Sequence, residues 1–155
     1  MRLVDTTIQV NAPADLLYEL LTDAEHLVRW MAATAEIDAR VGGTIRWTHE
    51  NGDTCSGRFV ELVPARRIVF TYGWERPDVQ VPPGSTTVEI TLEPRGDATR
   101  LRLVHRGLAG PMADAHAGGW DNYLGRLAAV AEGRDPGPDP LAGERVPSAA
   151  DLGLP

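Results

Sequence analysis

PMADAHAGGWDNYLGRLAAVAE, residues 111–132, is the stretch whose reading decides the fold. Trp120, Tyr123, Leu124, Leu127, Val130 and Ala131 recur at helical spacing and make one broad apolar face, so the stretch reads as the last helix of a domain. Gly110 suits the cap, Pro111 the first helical position, and Asp114 puts negative charge near the positive end of the helix dipole. A face that wide has to be buried against another layer. Gly118 and Gly119 stand just ahead of Trp120, although a glycine inside a helix costs about 1 kcal/mol relative to alanine. Two readings account for them: close approach of the helix backbone to a sheet, or volume left beside Trp120 for a ligand.

Upstream the hydrophobic period shortens to that of strands. Residues 3–10 alternate, with Leu3, Asp5, Thr7 and Gln9 on one face and Val4, Thr6, Ile8 and Val10 on the other. Asn11 and Pro13 then open a short helix striped by Leu16, Leu17, Leu20 and Leu21, and the T-x-x-E of Thr22 and Glu25 restarts a second one ending near Trp30. Strands are predicted over 33–39, over 44–49 after Gly42 and Gly43, over 54–63 across the Asn51-Gly52-Asp53 hairpin signal, and over 67–74. Pro77, Pro82 and Pro83 make residues 75–84 a long loop, and 85–93 with 99–106 form a last hairpin. A strand, two short helices, a meander and one long helix imply an α+β fold with an antiparallel sheet of about six or seven strands. One helix cannot cover so large a sheet completely, so a cavity between them follows.

Residues 1–132 are expected to form one domain. Residues 133–155 carry Pro136, Pro138, Pro140, Pro147 and Pro155 with few apolar side chains, and are expected to be a loose proline-rich tail outside the core, with Leu141, Val146, Leu152 and Leu154 available to pin it. A net charge of −7 without any basic stripe excludes a nucleic-acid partner. All the basic residues are arginine, which excludes a lysine Schiff base, and the single cysteine, Cys55, excludes an intrachain disulfide or a cysteine-pair metal site. No apolar run is long enough to span a membrane, and the first residues alternate like a strand, so a cytoplasmic protein without a membrane partner is expected. There is no phosphate loop, dinucleotide fingerprint or G-x-S-x-G elbow, and no cofactor is expected.

Period two places Ile45, Trp47 and His49 on one face of their strand and Leu101, Leu103 and His105 on one face of the last. With Phe70, Tyr72 and Trp74 across the sheet and Trp120 and Tyr123 above it, these make an aromatic lining tipped by a few polar groups, the usual build of a small-molecule pocket. Each aromatic is also open to being plain core. Trp30, Met112, His116 and Gly119 complete the candidate ligand-binding set. The histidines, at 26, 49, 105 and 116, have neither H-x-H nor H-x-x-x-H spacing, and no metal site is expected. Cys55 and His49 lie near each other across a hairpin, but no third residue orients them and no catalytic residue is assigned.

The motifs NAPADLLYELLT at 11–22, H-L-x-x-W at 26–30, G-G-x-I at 42–45, G-x-F-x-E-L-x-P at 57–64, I-V-F-T-Y at 68–72, T-x-L-x-L-x-H at 99–105 and H-x-x-G-W-x-x-Y-L at 116–124 occur in this order. Together they resemble bacterial relatives of the heat-shock-protein ATPase activator C-terminal domain, within the START-like, birch-pollen-allergen-like superfamily called SRPBCC. The resemblance spans residues 1–132 and implies a helix-grip fold, a curved antiparallel sheet wrapped around a long C-terminal helix and enclosing an apolar pocket. Superfamily members bind lipids, sterols, polyketides or plant hormones, and His105 and His116 match histidines common in the family. The family's name reflects a chaperone activity of eukaryotic members that carry a further N-terminal domain, which the sequence given does not include.

The first expectation is therefore a non-catalytic or weakly catalytic domain that binds a small hydrophobic or aromatic molecule between sheet and helix. Two alternatives stand beside it: an enzyme of the polyketide cyclase or dehydratase kind using His49, His105 or Tyr72 as acid/base groups, and a chaperone-linked or regulatory interaction module. A homodimer is also open, since relatives pair through sheet or helix surfaces.

Overall fold

A computed structural model describes residues 2–154, and the described residues form three helices and one seven-stranded sheet. Alternation at the N-terminus becomes β1 (Arg2–Val10), with Val4 and Val10 buried and Leu3, Asp5, Thr7 and Gln9 exposed. Two short helices follow, α1 (Ala14–Thr22) and α2 (Ala24–Leu27). The strands β2 (Thr34–Ile37), β3 (Thr44–Thr48), β4 (Thr54–Val63), β5 (Arg67–Tyr72), β6 (Thr86–Arg95) and β7 (Ala98–Leu108) then run as an antiparallel meander. β1 closes the sheet beside β7, giving the order β1-β7-β6-β5-β4-β3-β2. The helix α3 (Gly110–Ala131) buries Met112, His116, Trp120, Tyr123, Leu124, Leu127 and Val130. This is the α+β arrangement expected from the order of elements, and the helix-grip fold that the resemblance implies.

Local chemistry explains where elements begin and stop. Thr22 does not cap α2, because its hydroxyl donates to the Tyr18 carbonyl at 2.7 Å and completes α1. Asp23 caps instead, accepting from the Glu25 amide at 2.9 Å. α3 starts one residue earlier than expected, with Ala109 at the N-cap and Gly110 and Pro111 in the first turn. β5 ends at Tyr72, not at Trp74. A side chain at Gly73 would collide with the Pro82 carbonyl, and the Trp74 amide donates to Val81 of the proline loop at 2.6 Å, so Trp74 leaves the ladder and keeps only an isolated bridge to Cys55.

The largest departure from expectation is the C-terminal segment. It contains no regular element, yet it lies against the domain and not loose beside it. Arg126 on α3 donates to the Pro136 and Gly137 carbonyls at 3.3 and 2.9 Å, Asn51 donates to the Glu144 carbonyl at 2.7 Å, and the Ala149 amide donates to the Asp78 carbonyl at 2.8 Å. Side chains of α3 and of the loops thus satisfy main-chain groups that no ladder supplies. Leu141, Val146 and Leu152 pack against the core. No helix among the described residues is long and apolar enough to cross a membrane.

Candidate functional site: a roofed aromatic cavity

Between the sheet, α3 and the C-terminal segment lies a cavity of about 390 Å³, within the usual range for small-molecule sites. Trp47 on β3, Tyr72 on β5 and Trp74 just beyond it form one wall. Ala115, His116, Gly118, Gly119, Trp120 and Tyr123 of α3 form the opposite one. Leu141, Glu144, Arg145, Val146 and Pro147 close the outer side, and Met31, His49, Asn51 and Asp53 complete the lining. A β-carbon added at Gly118 or Gly119 would meet nothing within 4 Å. The two glycines therefore leave volume, and close backbone packing is not the reason for them.

Three tryptophan–histidine pairs order the polar atoms of this cavity. Trp47 Nε1 donates to His49 Nε2 at 3.1 Å, Trp74 Nε1 to His116 Nε2 at 3.0 Å, and Trp120 Nε1 to His105 Nδ1 at 3.0 Å. An indole N–H only donates, so each accepting nitrogen is unprotonated and each ring's proton sits on the other nitrogen. His116 Nδ1 then donates to the Met112 carbonyl at 2.8 Å, and His105 Nε2 to Thr86 Oγ1 at 2.8 Å, whose hydroxyl donates on to the Tyr72 carbonyl at 2.9 Å. His49 Nδ1 faces the Tyr123 hydroxyl at 3.4 Å, and Tyr123 donates to Asp139 Oδ2 at 2.7 Å. Among the described residues no buried side-chain nitrogen or oxygen is left without a partner.

Burial makes these histidines neutral. It drives the His105 pKa down to about 3, with the neighbouring His116 adding to the shift. Burial likewise lowers His116 against its bond to the Met112 carbonyl, and lowers His49 against the pull of Asp139 and Asp53. Tyr72 and Tyr123 are raised by the same desolvation, and so is the thiol of Cys55, which is buried opposite Trp47. A thiolate nucleophile at Cys55 is accordingly disfavoured.

Of the expected ligand-binding residues, Trp47, His49, Tyr72, Trp74, His116, Gly119, Trp120 and Tyr123 meet around the cavity, whereas Trp30, Ile45, Phe70, Leu103, His105 and Met112 do not line it. Trp30 donates its indole to the Leu20 carbonyl of α1 at 3.0 Å and is buried in the core. Ile45, Phe70, Leu103 and Met112 are packed core, and His105 stands behind Trp120 and Tyr72 as their support. The sequence reading missed Asp53 and the residues of the C-terminal segment. The sequence marks Asp53 only as part of a hairpin turn, but its side chain is 1% exposed and holds Arg76 and Arg145. Among the described residues no group of three or more His, Cys, Asp and Glu side chains is placed to hold a metal ion.

The family model described as Activator of Hsp90 ATPase homolog 1-like protein matches residues 11–132. The chain is similar to an AHSA1-like protein from Rhizobium etli whose solution structure is known, at 38% identity and a TM-score of 0.69, over 94% of this chain and 91% of that one. A crystal structure of a protein from Chromobacterium violaceum aligns at 27% identity and a TM-score of 0.73, covering 84% of this chain and 96% of the other. The solution structure of an Aha1 dimer from Colwellia psychrerythraea, at 21% identity, shares the fold with a TM-score of 0.71 over 85% of this chain and 97% of that one. None of the curated proteins matches the chain.

Proposed function

The chain belongs to the Activator of Hsp90 ATPase homolog 1-like family, and from that premise we propose that it binds a small, flat, largely apolar aromatic molecule in the cavity beneath α3. One observation carries the reading: Trp47, Tyr72, Trp74 and Trp120 line the cavity, while the ring nitrogens of His49, His105 and His116 beside them are already bonded. A ligand group needing a hydrogen bond deep in the cavity would find no unpaired partner and would lose its hydration for nothing. Ring faces stack well on a planar hydrophobic guest. Polar substituents of the guest belong at the mouth, beside His49, Tyr123 and Glu144.

The acid/base alternative draws less support from this geometry. His105 and His116 use both ring nitrogens in scaffold bonds, and His105 would have to be protonated far below neutral pH.

Native mass spectrometry of the freshly purified protein, together with a fluorescence titration using 1-aminoanthracene, tests the reading. A co-purified apolar molecule or saturable one-to-one probe binding is expected. Absence of both would overturn it. The same spectrum gives the assembly state, so pairing of two copies, described for the Colwellia protein, is decided alongside.

A further inference from the structure

Beyond α3 the chain turns at Gly133 and Gly137, which take left-handed φ values of 78° and 71°. It then crosses the cavity mouth. Leu141 and Val146 pack against the core there, and the polar attachment converges on one carboxylate. Asp53 Oδ1 accepts from Arg145 Nη2 at 2.8 Å and Nε at 3.2 Å, and Asp53 Oδ2 accepts from the Val146 amide at 2.8 Å. Arg76 Nη1 donates to both carboxylate oxygens, at 3.3 and 3.2 Å, and to the Val146 carbonyl at 2.8 Å. The main chain of Val146 is thus gripped at both its N–H and its C=O, by side chains from the β3–β4 hairpin and the proline loop. Leu141, Val146 and Pro147 face the cavity from this crossing, which lies outside residues 11–132, the span matched by the family model.

The energetics of such a grip favour reversibility. With the segment docked, Asp53 is 1% exposed and Arg76 15%, and on its release both charges would regain water. The attraction in a buried ion pair and the hydration recovered on opening it largely offset one another. No helix turn or sheet ladder breaks when residues 139–147 lift, since the segment has neither. The apolar layer between α3 and the sheet has no comparable compensation.

We propose that residues 139–147 are a latched strap that forms the outer wall of the cavity and controls access to it, with the Asp53–Arg145–Val146 contact as the latch. Leu141, Val146 and Pro147 supply the surface that meets the outer end of an occupant, so the strap also selects among guests by size. This role for the occupant rests on the binding reading given above; the latch itself does not.

The test compares the full-length protein with Arg145→Gln and Asp53→Asn. Arg145 is 57% exposed, so its replacement leaves the fold intact even if Asp53→Asn does not. Arg134→Gln, whose arginine pairs with Glu132 away from the mouth, is the control. In ligand-free protein, hydrogen exchange at the Val146 amide should accelerate at least about tenfold in Arg145→Gln with sheet amides unchanged. Acrylamide quenching of the cavity tryptophans should rise several-fold over the control in the same variant. Faster association and dissociation of 1-aminoanthracene should accompany it. Unchanged Val146 exchange would overturn the latch, and faster exchange without increased quenching would overturn the strap as a wall. Increased exchange and quenching with no probe bound by any of the proteins would uphold the strap and contradict the binding reading alone.

Discussion

The two ends of the cavity are built from the same pair of side chains and behave differently. At the deep end, Trp120–His105 and Trp74–His116 are closed circuits: their remaining nitrogens bond Thr86 and the Met112 carbonyl, inside the protein. At the mouth, Trp47–His49 leads outward through Tyr123 to Asp139 on the C-terminal segment. The deep circuits have no exchange partner in water, so breaking one leaves buried polar atoms unpaired. At the mouth a broken bond is replaced by hydration. The deep histidines therefore hold the fold, while the outer one belongs to the part of the site that opens.

His105→Ala should break the deep end most severely, because it removes packing, strands the Trp120 N–H and takes away the N–H that Thr86 Oγ1 accepts. A loss of about 4 kcal/mol in urea unfolding is expected. His49→Ala should cost far less, and equal losses at the two sites would erase the distinction between the ends.

Acid should expose the same asymmetry. His105 stays neutral in the folded protein down to about pH 3, whereas the unfolded chain protonates it below about 6.5. The unfolded state therefore binds more protons between those values, and stability falls as pH drops below about 6.5 while remaining flat above it. His105 alone should contribute a loss of about 2 kcal/mol at pH 5, with His116 and His49 acting in the same direction. Asp53 behaves oppositely to a simple buried acid: burial raises its pKa, but the Val146 amide, Arg145 and Arg76 together hold it below the ordinary carboxylate value. The latch should accordingly persist at pH 5, where the core is already weakened. Hydrogen exchange at pH 7 and 5, compared for Val146 and for β7 amides, reads this directly.

Smaller changes sharpen the contrast. Tyr123→Phe removes the bond to Asp139 and should cost about 1 kcal/mol, with the accompanying rise in exchange confined to residues 139–141. Gly118→Ala meets open space and should stabilise α3 by roughly 0.5–1 kcal/mol, seen as a higher unfolding midpoint.

Most of the fold was legible because its signals are local. Alternation fixed the two faces of β1 and β3, Asn51-Gly52 marked the β3–β4 hairpin, and the spacing of Trp120, Tyr123, Leu124 and Leu127 marked the buried face of α3. Of the expected residues that line the cavity, Trp47 and His49 come from the alternation, Trp120 and Tyr123 from the helical spacing, and Tyr72 and Trp74 from the aromatic run at 67–74. Period two, however, says which face a side chain takes and not whether it ends in core or cavity, and so Ile45, Phe70 and Leu103 were grouped with Trp47 and Tyr72. Asp53 and Arg145 lie 92 positions apart, and nothing in the local pattern of a hairpin turn announces a partner in a proline-rich tail. Proline there excludes helix and ladder but not docking through side chains, which is how the segment came to be expected loose.

Gly119 is the position that separates a binding site beneath α3 from a space left over by packing. Leucine at that position would project into the cavity with nothing within 4 Å of its β-carbon to strain. The measurement is the affinity of 1-aminoanthracene for wild type and Gly119→Leu, with the unfolding midpoint of each. Saturable binding by wild type, weakened at least about tenfold in a variant of unchanged midpoint, is the predicted result. Equal binding by both proteins, or none by wild type, would contradict it.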